Sequence, residues 1–251
     1  MQLFSSFAML SMPGRACSLI ETAMLLHIPD VLSAEEVLHC RRALADAPWA
    51  DGKVTAGPQS ASAKHNLQIP LDPPLHRSLG EIVLRALGRN ALFNSAVVPL
   101  RVVPPLFNRY DEGMSFGAHV DNAIRPIPNS GGMRIRTDVS STLFLTDPEE
   151  YEGGALRIHD ASGVQEIKLP AGDMIVYDTT VLHDVAPITR GSRWASFFWA
   201  QSMVRDVERR RILFDLDRTI MDLRSRLPDD DPAVLELVNC YHNLMRQWCE
   251  L

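Results

Sequence analysis

The sequence predicts a mainly β protein with flanking helices: a jelly-roll (double-stranded β-helix) core followed by a C-terminal helical hairpin. Three observations carry that expectation. From about residue 93 to residue 202, β-rich runs such as SSTLFLT, GALRIHD, VQEIKLP, DMIVYD and WASFFWAQS alternate with Gly-Gly, Ser-Gly, Pro-Ala-Gly-Asp and Arg-Gly-Ser turns. Many short strands without intervening helices indicate an antiparallel sandwich or barrel. Ahead of this region apolar residues recur at helical spacing, and after Met203 they do so again.

The elements follow in chain order. Residues 1–23, MQLFSSFAMLSMPGRACSLIETA, are apolar and nearly uncharged, but they lack the basic start of a secretory signal and Arg15 interrupts the run. They are expected to form a loosely ordered extension, with an export signal as the minority reading, and the folded unit to begin near Met24. Ser33 and Glu36 make a capping box for a first helix whose Val37, Leu38 and Leu44 share one face and which Asp46-Ala47-Pro48 ends. A second helix is predicted over 73–87, with Leu75, Leu79, Ile82, Val83 and Leu87 at helical spacing and Gly88 as its stop. Between the two, DGKVTAGPQSASAKHN reads as a polar loop with room for an edge strand. SAVVPLRVV is read as the first strand of the jelly-roll core, about 93–202, within a domain of residues 24–202.

Residues 203–251 are predicted to form a helical subdomain. Val207, Ile212, Leu216, Ile220 and Leu223 run as far as Pro228 and the acidic turn Asp229–Asp231, after which PAVLELVNCYHNLMRQWCEL resumes the helix. Leu213, Phe214, Leu216, Ile220, Leu237 and Trp248 give these helices an apolar side. Packing back on the barrel and joining two copies as a homodimer are balanced readings of it.

Composition narrows the function. The 251 residues are 46% hydrophobic and 22% charged, as in ordinary soluble proteins. A net charge of -6 and a pI of about 5.7 give no global positive field, which argues against a dedicated nucleic-acid or anionic-lipid binder. Cys17, Cys40, Cys240 and Cys249 form no CxxC pair and are too sparse for a disulfide framework, so a cytoplasmic location is expected. No apolar run approaches the roughly 20 residues of a membrane helix.

The chemistry starts at FGAHVDNAI. In a strand, residues i and i+2 project from one face, so His119 and Asp121 can point at one ion. Two ligands alone are as well read as a hydrogen-bonded polar pair. Downstream, Gly172-Asp173 makes a turn, Met174 to Tyr177 reads as a buried strand, and His183 begins the next rise. Two histidines and one carboxylate on neighbouring strands form the facial triad of non-haem Fe(II) oxygenases, which leaves adjacent coordination positions open. Ten residues on, Arg193 emerges from the apolar strand RWASFFW. An arginine there needs a carboxylate, either an internal Asp or Glu or the distal carboxylate of 2-oxoglutarate.

These features together resemble the Fe(II)/2-oxoglutarate dioxygenases of the prolyl 4-hydroxylase type, and more closely the bacterial PKHD-type hydroxylases. The resemblance is carried by His119-x-Asp121, His183 and Arg193, and by the stretches MLLHIPDVLSAEEV, RYDEGMSFGAHVDNAI, RTDVSSTLFLTDPEEYEGGAL and RGSRWASFFWAQSMVRD. It runs from about Met24 to the C-terminus. It implies His119, Asp121 and His183 as both catalytic residues and iron ligands, Arg193 and Tyr110 as co-substrate residues, and Fe(2+), 2-oxoglutarate and O2 as reactants, with L-ascorbate as an accessory reductant. The substrate it leaves open, a small molecule or a peptide. Phe144 stands where some prolyl hydroxylases have a second tyrosine, which leaves Thr142 or Ser196 as the expected helpers of Arg193. Arg134 and Arg136 are expected in a solvated loop and Gly131-Gly132 in a flap. The alternative reading is a cupin-like module that binds iron without turnover; it has the triad but no need of Arg193.

Overall fold

Period-two alternation builds the frame. In the strand Val139–Phe144, Val139 and Leu143 turn to one face while Ser140, Thr142 and Phe144 turn to the other. Met174 and Val176 alternate with Ile175 and Tyr177 in the same way. The computed structural model describes residues 25–55, 58–71, 74–128, 130–161, 163–228 and 230–251. The expected extension 1–23 lies outside the described residues.

Among the described residues, a nine-stranded antiparallel sheet has the order Leu25–Ile28, Met174–Asp178, Val139–Phe144, Ile188–Ser202, Leu106–Asp111, Leu67–Gln68 and Ala50–Asp51. Tyr151–Gly153 and Pro99–Val102 also pair along the long strand Ile188–Ser202. A five-stranded sheet has the order Gly163–Ile167, Leu156–Asp160, Leu182–Val185, Ser115–His119 and Lys64–His65. The two sheets share one interior cluster, with Tyr110, Phe144, Tyr151 and Tyr177 from the first and Leu156, Ile158 and Val185 from the second. Two sheets facing across such a core make the expected jelly roll.

Helices α1 (Ala34–Ala45), α3 (Pro74–Arg89) and α4 (Ala91–Val97) cover the outer face of the large sheet, while α2 (Pro58–Ala63) lies against the strand Ser115–His119 of the smaller one. Cys40 and Leu44 of α1, Leu79 and Val83 of α3 and Phe93 of α4 pack with Leu143, Met174, Val176 and Phe198 of the sheet. Each fully buried side chain of this size contributes about 1.5–3 kcal/mol. The capping box of α1 forms as expected: the Ser33 hydroxyl accepts from the Glu36 amide and the Glu36 carboxylate from the Ser33 amide.

Three expectations are corrected. The second helix does not stop at Gly88, which stays helical; α3 runs to Arg89 and ends where the Asn90 side chain accepts from the Phe93 amide and opens α4. SAVVPLRVV is therefore not one strand. Phe93, Ala96 and Val97 are buried at helical spacing, Val98 ends α4 with a left-handed φ of 46°, and only Pro99–Val102 is extended. The β-branched residues hid that helical period. The polar stretch 51–66 holds the edge strand it had room for, Lys64–His65, but is not otherwise loop: it also forms a 3-10 turn (Gly52–Thr55) and α2.

The Gly172-Asp173 turn fastens the start of the described chain to the barrel. Gly172 has φ +98°, and a Cβ there would stand 2.7 Å from the Leu32 carbonyl. Asp173 accepts from the Asp30 amide at 2.9 Å and pairs with His27 Nε2 at 2.8 Å.

At the C-terminus α5 (Val207–Arg224) and α6 (Pro232–Trp248) form the expected hairpin. Leu213 is buried with Val98, Val204 and the α6 residues Tyr241, Leu244 and Trp248, while Phe214 joins the cluster on the sheet. Arg210, 1% exposed, donates to the carbonyls of Val204 and Arg205 and to Asp178 Oδ2 at 3.2 Å. Much of the apolar side expected at a dimer contact is thus covered within the chain; Leu227 and Leu235 remain exposed. Among the described residues no helix is long and apolar enough to cross a membrane.

Candidate metal centre and its pocket

His119 and His183 stand directly opposite each other where Ser115–His119 pairs with Leu182–Val185. A register shift follows between His183 and Val185, the kind of bulge that re-aims side chains beside a site. The strand ends at His119, so Asp121 lies two residues beyond it rather than further along the same ladder. The three side chains nonetheless converge: their potential ligand atoms lie within 4.8 Å of one another, with His183 Nε2 3.7 Å from Asp121 Oδ2.

The orientation of each group is set locally. His119 Nδ1 lies 2.9 Å from the Gly117 carbonyl and His183 Nδ1 lies 3.1 Å from the Val181 carbonyl. A carbonyl only accepts, so each Nδ1 carries a proton, which leaves Nε2 as the nitrogen each ring can offer a metal. Asp121 Oδ2 accepts from the Ser140 hydroxyl at 2.6 Å. Burial, reinforced by His183, pushes the His119 pKa down to about 4, which keeps the imidazole neutral near pH 7. Phe116 stacks on His119 with ring centroids 3.7 Å apart, and Tyr177 meets His183 edge-on at 5.1 Å. Two imidazole nitrogens and one carboxylate with this support fit divalent iron.

Arg193 lines the same pocket and is 1% exposed. It has not met an internal acid: its Nε and Nη2 have no hydrogen-bond partner. Its guanidinium carbon lies 5.6 Å from the Tyr110 ring and 5.0 Å from the Phe144 ring. The buried Tyr151 hydroxyl has no acceptor of its own and stands beside Arg193, whose guanidinium acts on it by charge and as a neighbouring donor. Burial pushes the Tyr110 hydroxyl up to about 12 and raises those of Tyr151 and Tyr177. The three phenols therefore stay protonated. A buried guanidinium fork without acceptors is a seat for a carboxylate.

Residues 105–201 match the family model described as the 2OG-Fe(II) oxygenase superfamily, and residues 208–250 match the PKHD-type hydroxylase C-terminal domain. A PKHD-type hydroxylase of Gluconacetobacter diazotrophicus is 69% identical over 228 residues, 91% of this chain and 100% of the relative. The chain belongs to the PKHD-type hydroxylases. One from Cupriavidus metallidurans is 61% identical over the same shares, and PiuC of Pseudomonas aeruginosa is 55% identical. In fold, the chain is similar to HygX of Streptomyces hygroscopicus, solved with nickel, 2-oxoglutarate and hygromycin B bound (TM-score 0.50, 15% identity, 72% of this chain and 84% of that one). It is similar also to the carbocyclase SnoK from nogalamycin biosynthesis (TM-score 0.50, 16% identity, 72% and 80%). Family and fold together make it an Fe(II)/2-oxoglutarate-dependent dioxygenase.

In this PKHD-type hydroxylase the sequence-predicted residues His119, Asp121, His183, Tyr110 and Arg193 all line one pocket. The expected helper Ser196 does not. It is three residues from Arg193, so it faces the other side of the sheet, where its hydroxyl donates to the Leu106 carbonyl at 3.0 Å. Thr142 does line the pocket. Tyr151, which sequence reasoning missed, approaches Arg193 from a strand paired to the far end of Ile188–Ser202. No spacing rule points to it. Arg136 is not in a solvated loop either: it pairs with Asp138 and Glu250 from a ribbon made of Ile124–Pro126 and Arg134–Arg136, with Gly131 and Gly132 between the two strands.

Proposed function

We propose that this hydroxylase holds Fe(II) between His119 Nε2, His183 Nε2 and the Asp121 carboxylate, and couples hydroxylation of its substrate to decarboxylation of 2-oxoglutarate. Bound there, Fe(II), 2-oxoglutarate and O2 supply the oxidising power for hydroxylation and leave succinate and CO2. Arg193 binds the distal carboxylate of the co-substrate, assisted by the Tyr151 hydroxyl and with Tyr110 as a wall. Ser140 orients Asp121, and the Gly117 and Val181 carbonyls fix the imidazoles. Phe116, Tyr177 and Phe197 exclude water. Ascorbate, as a reductant that keeps the iron ferrous, belongs to the same proposal and rests on the family resemblance. Residues 24–202 carry this chemistry and residues 203–251 support it structurally.

The observation that carries the reading is the buried, acceptor-less guanidinium of Arg193. A cupin-like iron module would gain nothing from that costly group. The test is conversion of 2-oxoglutarate to succinate by the Fe(II)-loaded protein in air. Succinate formation that disappears in His183→Ala supports the proposal. Iron binding without saturable 2-oxoglutarate binding overturns it in favour of the iron module.

A further inference from the structure

The pocket has a second cationic end. Arg193 and Trp199 lie six residues apart on one regularly paired strand, so about 20 Å separates them. The triad sits between them and toward the Trp199 end, because Ser140, the register partner of Trp199, is the residue that donates to Asp121. At that end the Arg125 guanidinium lies 3.8 Å over the Trp199 ring. The Lys64 ammonium, 4% exposed, lies 5.4 Å from the Phe116 ring and 5.6 Å from the Phe197 ring. The Trp199 indole N–H is buried in the pocket lining with no acceptor.

An indole nitrogen can only donate, and a buried donor is satisfied only by an oxygen brought to it. Two cations beside it make that oxygen an anionic one. The cations are close enough to repel: burial, with Arg125 beside it, holds the Lys64 pKa down to about 8. Asp121 acts on both cations, and Asp51 acts on Lys64 as well. A protein of net charge -6 that still lines this end with two cations and a bare N–H is built to receive an anion there.

We propose that Lys64, Arg125 and the Trp199 indole N–H form the substrate end of the pocket and that the molecule hydroxylated carries a carboxylate. The co-substrate and the substrate then enter as anions from opposite ends, with the metal between them. Arg125 and Lys64 act as specificity-determining residues, and the bond oxidised lies within a few bonds of the substrate carboxylate.

The proposal rests on the Fe(II)/2-oxoglutarate reading, and the test separates the two. The protein is loaded with Zn(II), a diamagnetic stand-in, and saturated with 2-oxoglutarate so that the Arg193 end is filled. Acetate is then titrated against the indole N–H signals in a nitrogen-correlated NMR spectrum, with acetamide and chloride as controls; Trp199 is assigned by its loss in Trp199→Phe. A saturable shift of the Trp199 signal with acetate but not acetamide, weakened about tenfold in Arg125→Gln and in Lys64→Met, is expected. Equal response to acetamide, no response to acetate, or unchanged acetate binding in both folded variants overturns the proposal. Absence of saturable 2-oxoglutarate binding in the first step is instead a failure of the underlying reading.

Discussion

The Arg193 guanidinium stands opposite Tyr110 in the register between Ile188–Ser202 and Leu106–Asp111, with its carbon 5.6 Å from the tyrosine ring and two of its nitrogens unsatisfied. Burying such a charge costs stability, so its removal separates binding from folding. Arg193→Met is expected to melt no lower than wild type without ligand. It should lose about 1.5–3 kcal/mol of co-substrate binding, roughly a ten- to hundredfold rise in the 2-oxoglutarate KM. The wild-type protein gains about 2.7 kcal/mol of stability at 100 times the Kd of 2-oxoglutarate. A thermal shift by 2-oxoglutarate that survives in Arg193→Met would remove Arg193 from the carboxylate seat.

Alanine at His119, Asp121 or His183 should abolish tight Fe(II) binding while circular dichroism stays that of the wild type. Ser140→Ala tests the support of Asp121. Its lost hydroxyl is expected to weaken metal binding by about 10–100-fold without abolishing it. Calorimetric titration with Zn(II) or Fe(II) measures both, and unaltered affinity in all three alanine variants would displace the metal centre.

The thiols should divide by burial. Cys40 is fully buried, and burial pushes its pKa from the usual 9.0 up to about 11, whereas Cys240 is exposed. Raising a thiol pKa disfavours the reactive thiolate. In a Cys17→Ser background at pH 8, iodoacetamide should therefore modify Cys240 in the native protein and reach Cys40 only in denaturant. Mass spectrometry of the labelled peptides decides, and rapid native labelling of Cys40 would contradict its position on the buried face of α1.

The link between Asp178 and Arg210 predicts a stability asymmetry. Asp178→Ala strands a buried guanidinium and should cost about 3 kcal/mol in urea unfolding. Adding Arg210→Met should recover part of that loss, since the unpaired charge then disappears. Additive losses in the double variant would show that the two residues are energetically independent.

The candidate triad was legible because its evidence is local: an HxD motif, a second histidine after a Gly-Asp turn, and an arginine ten residues later. The strand runs were legible for the same reason, since alternation and turn residues are properties of neighbours in sequence. Residues brought in by topology were not. Tyr151 reaches Arg193 through pairing with the far end of a 15-residue strand. Lys64 reaches the pocket from a two-residue edge strand, and Arg125 from one strand of a short ribbon. The error over SAVVPLRVV was of another kind. Its valines favour strand locally, but burial of Phe93, Ala96 and Val97 on one side decided for a helix.

Each imidazole of the candidate triad is held by a backbone carbonyl two residues before it, Gly117 for His119 and Val181 for His183. The rings therefore need no ion to hold them in place. If these residues hold the metal as proposed, the centre is a socket and not a staple: the ion would enter a frame already oriented by its own backbone, and chelation should empty the site without loosening the barrel. Loading and folding are then separate events, so one folded chain can be stripped and recharged with different divalent ions and compared like for like.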